Sequence, residues 1–154
     1  MSGENKPAAG RPIVSSRLFA EPREVVFAAF SDPVRLAQWW GPKGFTNEFR
    51  QFDFRPGGAW RFTMRGPDGA AYEMDQQFTE IVRPERIVLR HFQQTHDFTL
   101  TMTFAAEAGG TAVTWVMVFD DPAEGERLRS FLGPANAENL ERLAAHLALT
   151  TQKP

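Results

Sequence analysis

Chemistry in this chain has to come from a short roster of side chains. Histidine occurs three times, at His91, His96 and His146, and no two of them stand at the i, i+4 spacing that lets one helix offer two imidazoles to a metal. Cysteine is absent, which removes thiolate catalysis, cysteine-ligated zinc and disulfides together. No GxSxG, GxxxxGK[ST] or GxGxxG run occurs, so acyl transfer from a nucleophile elbow, phosphate cradling and dinucleotide binding lack their hardware. Asp53, Glu73, Asp75 and Glu80 are acids within expected strands. A buried carboxylate with a raised pKa serves as a general base, but strand charges alternate into water by default, and Asp53-Phe54-Arg55 reads as a charge pair shaping the bend at Gly57-Gly58. No catalytic residue, metal ligand or cofactor is therefore expected.

Polar groups on apolar faces are more informative. His91 has the strand parity of Ile87 and Leu89, and Gln76 has that of Tyr72 and Met74. A buried polar group needs a partner, so Gln76, His91, Tyr72 and Asn136 read as the few convergent polar contacts that orient a mostly apolar ligand. The competing readings are an edge or internally satisfied His91 and a Gln76 at a strand bend with its amide in water. His96 falls in an expected loop and His146 beside the apolar stripe of a helix.

The elements that must position these groups follow from periodicity and turn chemistry. Ile13 to Ala20 reads as a strand; Pro22 then opens a helix with Val26, Phe27 and Phe30 on one face, and Asp32-Pro33 opens a second with Val34, Leu36, Trp39 and Trp40. Gly41-Pro42 stops it. From Phe45 the apolar period becomes 2, and turn signals divide the stretch into strands at about 44–54, 59–65, 70–82, 86–93, 97–106 and 111–119. Asp68-Gly69 and Gly109-Gly110 are hairpin turns, which makes the strands an antiparallel meander. Asp120-Asp121-Pro122 starts a further short helix with Leu128, Phe131 and Leu132 on its apolar side and a break at Gly133-Pro134. A final helix is predicted from about 134 to 150, with Leu140, Leu143, Ala144, Leu147 and Ala148 in one stripe.

A sheet of seven strands with one apolar face needs a cover, and only the terminal helix is long enough to lie across it. The sheet must then curl around that helix. Strand parity puts Trp60, Phe62 and Met64 on one face, with Tyr72, Met74 and Phe78 unless a bulge intervenes; Phe98, Leu100, Met102 and Phe104 join them, as do Val113, Trp115, Met117 and Phe119. These stripes are either plain core or, because a helix of about 16 residues is thin for a strongly curved sheet, the lining of a cavity. The composition of 14 Phe and 4 Trp against 1 Tyr makes such walls greasy and poor in hydroxyls. Leu140 of the last helix faces the same space, and Phe45 follows the loop that closes it. Adjacent helical residues point about 100° apart, so of Trp39 and Trp40 one packs in the core and the other guards the cavity mouth.

The chain of 154 residues suits one domain over residues 13–150, with a disordered leader at 1–12 and a short tail at 151–154. A formal charge of −2 argues against a nucleic-acid partner. No apolar run reaches the ~18 residues of a membrane span and the leader lacks a signal-peptide core, so a cytoplasmic protein is expected; a homodimer is left open.

Three segments carry a resemblance: Trp39-Trp40-Gly41-Pro42-Lys43-Gly44-Phe45, Asp53-Phe54-Arg55-Pro56-Gly57-Gly58 followed by Trp60, and Gly69 leading to Glu80-Ile81-Val82-Arg83-Pro84-Glu85-Arg86. From about Val14 to Leu149 the chain resembles the bacterial homologues of the activator of heat-shock protein 90 ATPase (AHSA-type), within the SRPBCC or START-like superfamily. The resemblance implies an α+β helix-grip (Bet v-like) fold: a curved seven-stranded antiparallel sheet wrapped around a long C-terminal helix, two short helices after the first strand, and a deep hydrophobic cavity. Relatives bind lipids, hormones or polyketides, and some catalyse cyclisation or hydrolysis. The eukaryotic activator has a separate N-terminal domain where 12 residues stand here, so a chaperone partner is not expected. Where many bacterial relatives carry Gly-Trp before the last apolar stripe, this chain has Ala135-Asn136, a change predicted to enlarge or polarise that end of the cavity. The expected function is binding of an apolar small molecule; the alternatives are a polyketide-cyclase-like enzyme using the pocket's polar groups and a chaperone-linked interaction module.

Overall fold

The computed structural model describes residues 10–92 and 96–151. In chain order the elements are β1 (Ile13–Phe19), α1 (Arg23–Ser31), α2 (Pro33–Trp39), β2 (Thr46–Phe52), β3 (Ala59–Arg65), β4 (Ala71–Val82), β5 (Arg86–His91), β6 (Phe98–Glu107), β7 (Gly110–Phe119) and α3 (Pro122–Thr151). The strands make one curved antiparallel sheet in the order β1-β7-β6-β5-β4-β3-β2, a meander from β2 to β7 with β1 brought back beside β7. Residues 1–9 of the expected leader, residues 93–95 of the expected polar break and residues 152–154 of the tail lie outside the described residues.

Register turns alternation into a continuous wall. Trp60 pairs with Gln76, Gln76 with His91, His91 with Phe98 and Phe98 with Phe119, so one row of inward side chains crosses five strands. A parallel row runs Phe78, Leu89, Leu100, Met117 and Ile13. The bulge in β4 falls between Phe78 and Glu80, which leaves Tyr72, Met74, Gln76 and Phe78 on one parity and readmits Ile81 to the inner face beyond it. The Asp53 to Gly58 bend needs its glycine: a Cβ on Gly58 would lie 2.0 Å from the Asp53 carbonyl oxygen.

The helices differ from expectation in three respects. Gly133-Pro134 does not break the last helix, which runs unbroken as α3. Three features allow this. Gly133 has no Cβ to collide with the proline ring; Pro134 and Ser130 are exposed, so the carbonyl freed at Ser130 meets water; and one face is held against the rest of the molecule across the break, through half-buried Leu132 and buried Ala135, Asn136, Asn139, Leu140, Leu143 and Leu147. Ala148, expected in that stripe, is exposed, and His146 is buried there instead. On α2 the Asp32 carboxylate accepts from the Val34 backbone N–H at 3.0 Å as an N-cap, and Leu36 and Trp39 are buried, but Val34 faces solvent.

Part of the expected leader is fastened. Gly10 N–H donates to the Phe119 carbonyl at 3.4 Å, Arg11 pairs with Glu126 at 2.7 Å, and the Arg129 guanidinium donates to the Arg11 and Pro12 carbonyls. Among the described residues no helix is long and apolar enough to cross a membrane.

Candidate functional site

The concave face of the sheet and α3 do not close on one another. Between them lies a cavity of about 570 Å³, walled by β4 to β7 on one side, by α3 on the other, and by the α2–β2 loop at one end. Its sheet wall consists of Met74, Gln76, His91, Phe98, Leu100, Trp115, Met117 and Phe119, and its helix wall of Leu128, Leu132, Ala135, Asn136 and Asn139. The mouth is formed by the more exposed lining residues, Pro42, Phe45 and Tyr72 with His96, Arg127 and Phe131, and buried Met64 lines the space behind them. Tyr72 and Phe131 are substantially exposed there.

The α2–β2 loop is placed by α3. Asn139 Oδ1 accepts from Gly41 N–H at 3.0 Å, and its Nδ2 donates to the Trp39 carbonyl at 3.0 Å. The Arg142 guanidinium donates to the carbonyls of Gln38, Trp40, Gly41 and Pro42 at 3.0 to 3.3 Å, which puts a cation on the orphaned carbonyls at the end of α2. Burial pushes the Arg142 pKa down from its ordinary value. Gly41 turns with φ +101, and a Cβ there would stand 3.2 Å from Phe45 Cβ, so this corner favours glycine on both conformation and space. The two tryptophans keep an edge contact, ring centroids 5.7 Å apart, but take different layers. Trp39 is core, its indole N–H donating to the Ala29 carbonyl at 3.1 Å, whereas Trp40 lines the cavity between Trp60 and Trp115, with ring centroids 5.0 and 5.2 Å away.

Polar atoms in the walls are few. Gln76 and His91 are both buried, and His91 Nδ1 lies 3.0 Å from Gln76 Oε1. An amide oxygen only accepts, so the Nδ1 nitrogen donates in that contact. The His91 ring stacks on Phe98 at 4.6 Å, which fixes its plane. Gln76 Nε2, Asn136 Nδ2 and Trp115 Nε1 are shielded from water and have no hydrogen-bond partner. No carboxylate lines the cavity among the described residues. At the mouth Arg127 pairs with Glu124 at 2.6 Å, and Glu124 also meets His96; the Arg127 hydrogen bond, with smaller help from His96, holds the Glu124 carboxyl below the usual carboxylate range.

Twelve of the residues singled out from the sequence border this space: Trp40, Phe45, Met64, Tyr72, Met74, Gln76, His91, Phe98, Leu100, Trp115, Met117 and Asn136. Five do not: Trp39, Trp60, Phe62, Met102 and Leu140 are buried behind the walls. Trp60 shows why parity alone does not separate the two groups, because Trp40, Phe62 and Phe78 cover its ring. Sequence reasoning missed Asn139, Arg127, His96 and the Gly41-Pro42 corner. Leu128, Phe131 and Leu132, expected on a separate helix, stand at helical spacing with Ala135 and Asn139 and line the cavity with them.

The strand acids stay out of the cavity. Asp53 pairs with Arg55 at 2.8 Å, Asp75 with Arg61 at 3.4 Å, Glu80 with Arg86 at 2.8 Å, and Glu73 with Arg50 and Thr63. No group of three or more His, Asp or Glu able to hold a metal occurs among the described residues.

Comparison with known proteins places this geometry. The family model described as Activator of Hsp90 ATPase homolog 1-like protein matches residues 20–148. A protein from Arthrobacter aurescens, solved by solution NMR, superposes with a TM-score of 0.83 at 20% identity, over 92% of this chain and 91% of that one. A crystal structure from Chromobacterium violaceum gives 0.75 at 28% identity, over 88% and 96%, and the AHSA1 protein from Silicibacter pomeroyi gives 0.73 at 23%, over 91% and 99%. No curated protein matches the chain.

Proposed function

Since the chain belongs to the Activator of Hsp90 ATPase homolog 1-like family, whose solved relatives share its fold, we propose that it is a small-molecule-binding protein that holds an apolar, ring-bearing ligand between the sheet and α3. The observation that carries this reading is the cavity itself. At about 570 Å³ it falls in the range of ~300 to 1,000 Å³ usual for small-molecule sites. Its walls are Trp, Phe, Met and Leu with a handful of polar atoms, the composition that buries a ligand by area and orients it by a few hydrogen bonds. Met64, Met74 and Met117 give those walls conformational latitude.

A thermal-shift screen with fatty acids, flavonoids and small polyketides tests it, because a ligand at ~100 times its dissociation constant adds ~2.7 kcal/mol to the folded state. Native mass spectrometry of protein from its own host would show a retained ligand directly. No shift with any apolar class, from protein shown to carry no ligand, would overturn the reading.

One observation favours an enzymatic alternative: the His91–Gln76 pair places an imidazole of defined orientation inside an apolar cavity, where a proton-transfer group for a polyketide-type cyclisation belongs. Turnover of a bound polyketide, lost on His91→Phe, would select that reading. Stimulation of a chaperone ATPase with no ligand-induced shift would select the chaperone-linked one.

A further inference from the structure

From the unpaired donors in the walls we infer that the ligand is a neutral ring compound carrying carbonyl-type oxygen, held by hydrogen bonds from Gln76, Asn136 and Trp115. This inference rests on the cavity reading above and adds the chemistry of the guest. Gln76 Nε2 on β4, Asn136 Nδ2 on α3 and Trp115 Nε1 on β7 come from three separate elements, and each residue is more than nine-tenths buried and borders the cavity. Each of the three nitrogens has no acceptor within reach and is closed off from water, the costly condition for a buried polar group.

All three unmet groups are N–H donors, so they ask for acceptors. In the arrangement shown, Gln76 Oε1 lies 3.0 Å from His91 Nδ1 and the amide turns its donor end to the cavity, while Trp115 Nε1 is a donor in any arrangement. A small turn of the terminal amide of Gln76 or Asn136 brings an N–H to an oxygen carried in by a guest.

Charge decides between a ketone and a carboxylate. Arg127, at the mouth, is already paired with Glu124, and Arg142 is occupied by backbone carbonyls. A carboxylate buried against Gln76 and Asn136 would lack a free countercharge and lose its hydration. A ketone, quinone or lactone oxygen meets amide and indole donors at far smaller desolvation cost. Neighbouring Trp40 and Trp115 give its rings stacking surfaces.

The test compares fluorenone with fluorene, which share a ring frame and differ by one carbonyl, and adds fluorene-9-carboxylate as the anionic arm. Dissociation constants are measured for the full chain and for Asn136→Leu and Gln76→Met, and the fluorene/fluorenone ratio is compared between proteins so that aqueous solvation of the ligands cancels. The structure shows no side-chain hydrogen bond of Asn136, so Asn136→Leu carries the test on its own; Gln76→Met takes an acceptor from His91, and its fold is checked by circular dichroism. Loss of one donor is expected to cut the preference for the ketone about fivefold, and the carbonyl stretch of bound fluorenone should move to higher frequency in each folded variant. An unchanged ratio and an unmoved band in both variants would overturn the donor assignment while leaving the cavity reading intact. Tighter binding of the carboxylate than of the ketone would overturn the neutral class. Failure of all three compounds to bind protein shown to carry no ligand would remove the cavity reading and this inference with it.

Discussion

Arg142 and His146 show how single side chains on α3 hold α2 and the loop after it without lining the cavity. Arg142 makes four hydrogen bonds to the carbonyls of the α2–β2 loop, and hydrogen bonds to a charged group contribute ~1.5 to 3 kcal/mol each in favourable cases. Water replaces part of that when the cation is removed, so Arg142→Met is expected to lower stability by about 2 to 4 kcal/mol, or roughly 5 to 15 °C in Tm for a domain of this size. Urea and thermal melts check it, and a variant as stable as the parent would show that the clamp is ornamental. His146 accepts the Arg35 Nε–H at its Nε2, 3.1 Å away, which requires that nitrogen to be unprotonated. Burial first, then the Arg35 charge, push its pKa below the ordinary 6.5, with Asp32 opposing. The unfolded chain therefore takes up this proton more readily than the folded one, and stability contributed by His146 is present above about pH 6.5 and falls as pH drops towards the folded pKa. Urea midpoints at pH 7.5 and 5.5 should show a loss on acidification that is smaller in His146→Gln, which keeps an acceptor but does not titrate; equal losses in the two proteins would reject the assignment.

α3 is the element where local and tertiary signals conflict most. Gly133-Pro134 is a strong stop on local grounds, worth ~3 kcal/mol against a helix interior, yet the helix passes through it. Because nothing lies within 4 Å of a Cβ placed on Gly133, Gly133→Ala tests how much of the local penalty remains. Helix propensity gains ~0.5 to 1 kcal/mol from that change, whereas the new methyl meets the Pro134 ring; the steric cost is expected to win, giving a lower Tm than the parent. Adding Pro134→Ala should reverse the sign, and a single variant already more stable than the parent would show that the glycine has no steric part in the passage. The same contrast explains what the residues made legible. Strand order, hairpins and inward parity could be read because Asp68-Gly69, Gly109-Gly110 and the period-2 stripes are local, and the three resemblance segments tied them to one fold. The loop clamp could not be read, because Asn139 and Arg142 find Gly41 and Pro42 across about 100 residues. Trp60 lies behind the wall for a related reason: parity says which face a residue occupies, and only packing depth says whether another ring lies in front of it.

At the scale of the molecule, the excess of Phe and Trp over Tyr is a consequence of architecture. A curved sheet and a single covering helix leave more inner surface than they can press together. Part of that surface forms a ring-on-ring core around Trp60, and the remainder stays as the walls of the cavity. The sheet is held by paired strands on both sides of the site, and the α2–β2 loop rests on it through Trp40, between Trp60 and Trp115, while the segment of α3 from Leu128 to Asn136 faces the sheet across the cavity. A guest that fills this space adds contacts to both the loop and that segment of α3, and local opening there should become rarer. Hydrogen exchange with and without saturating fluorenone is therefore expected to show added protection over residues 38–45 and 128–140, with little change along β1. Protection gained instead over β1, where Val14 and Leu18 are exposed, would put the occupant on the outer face of the sheet rather than inside the grip.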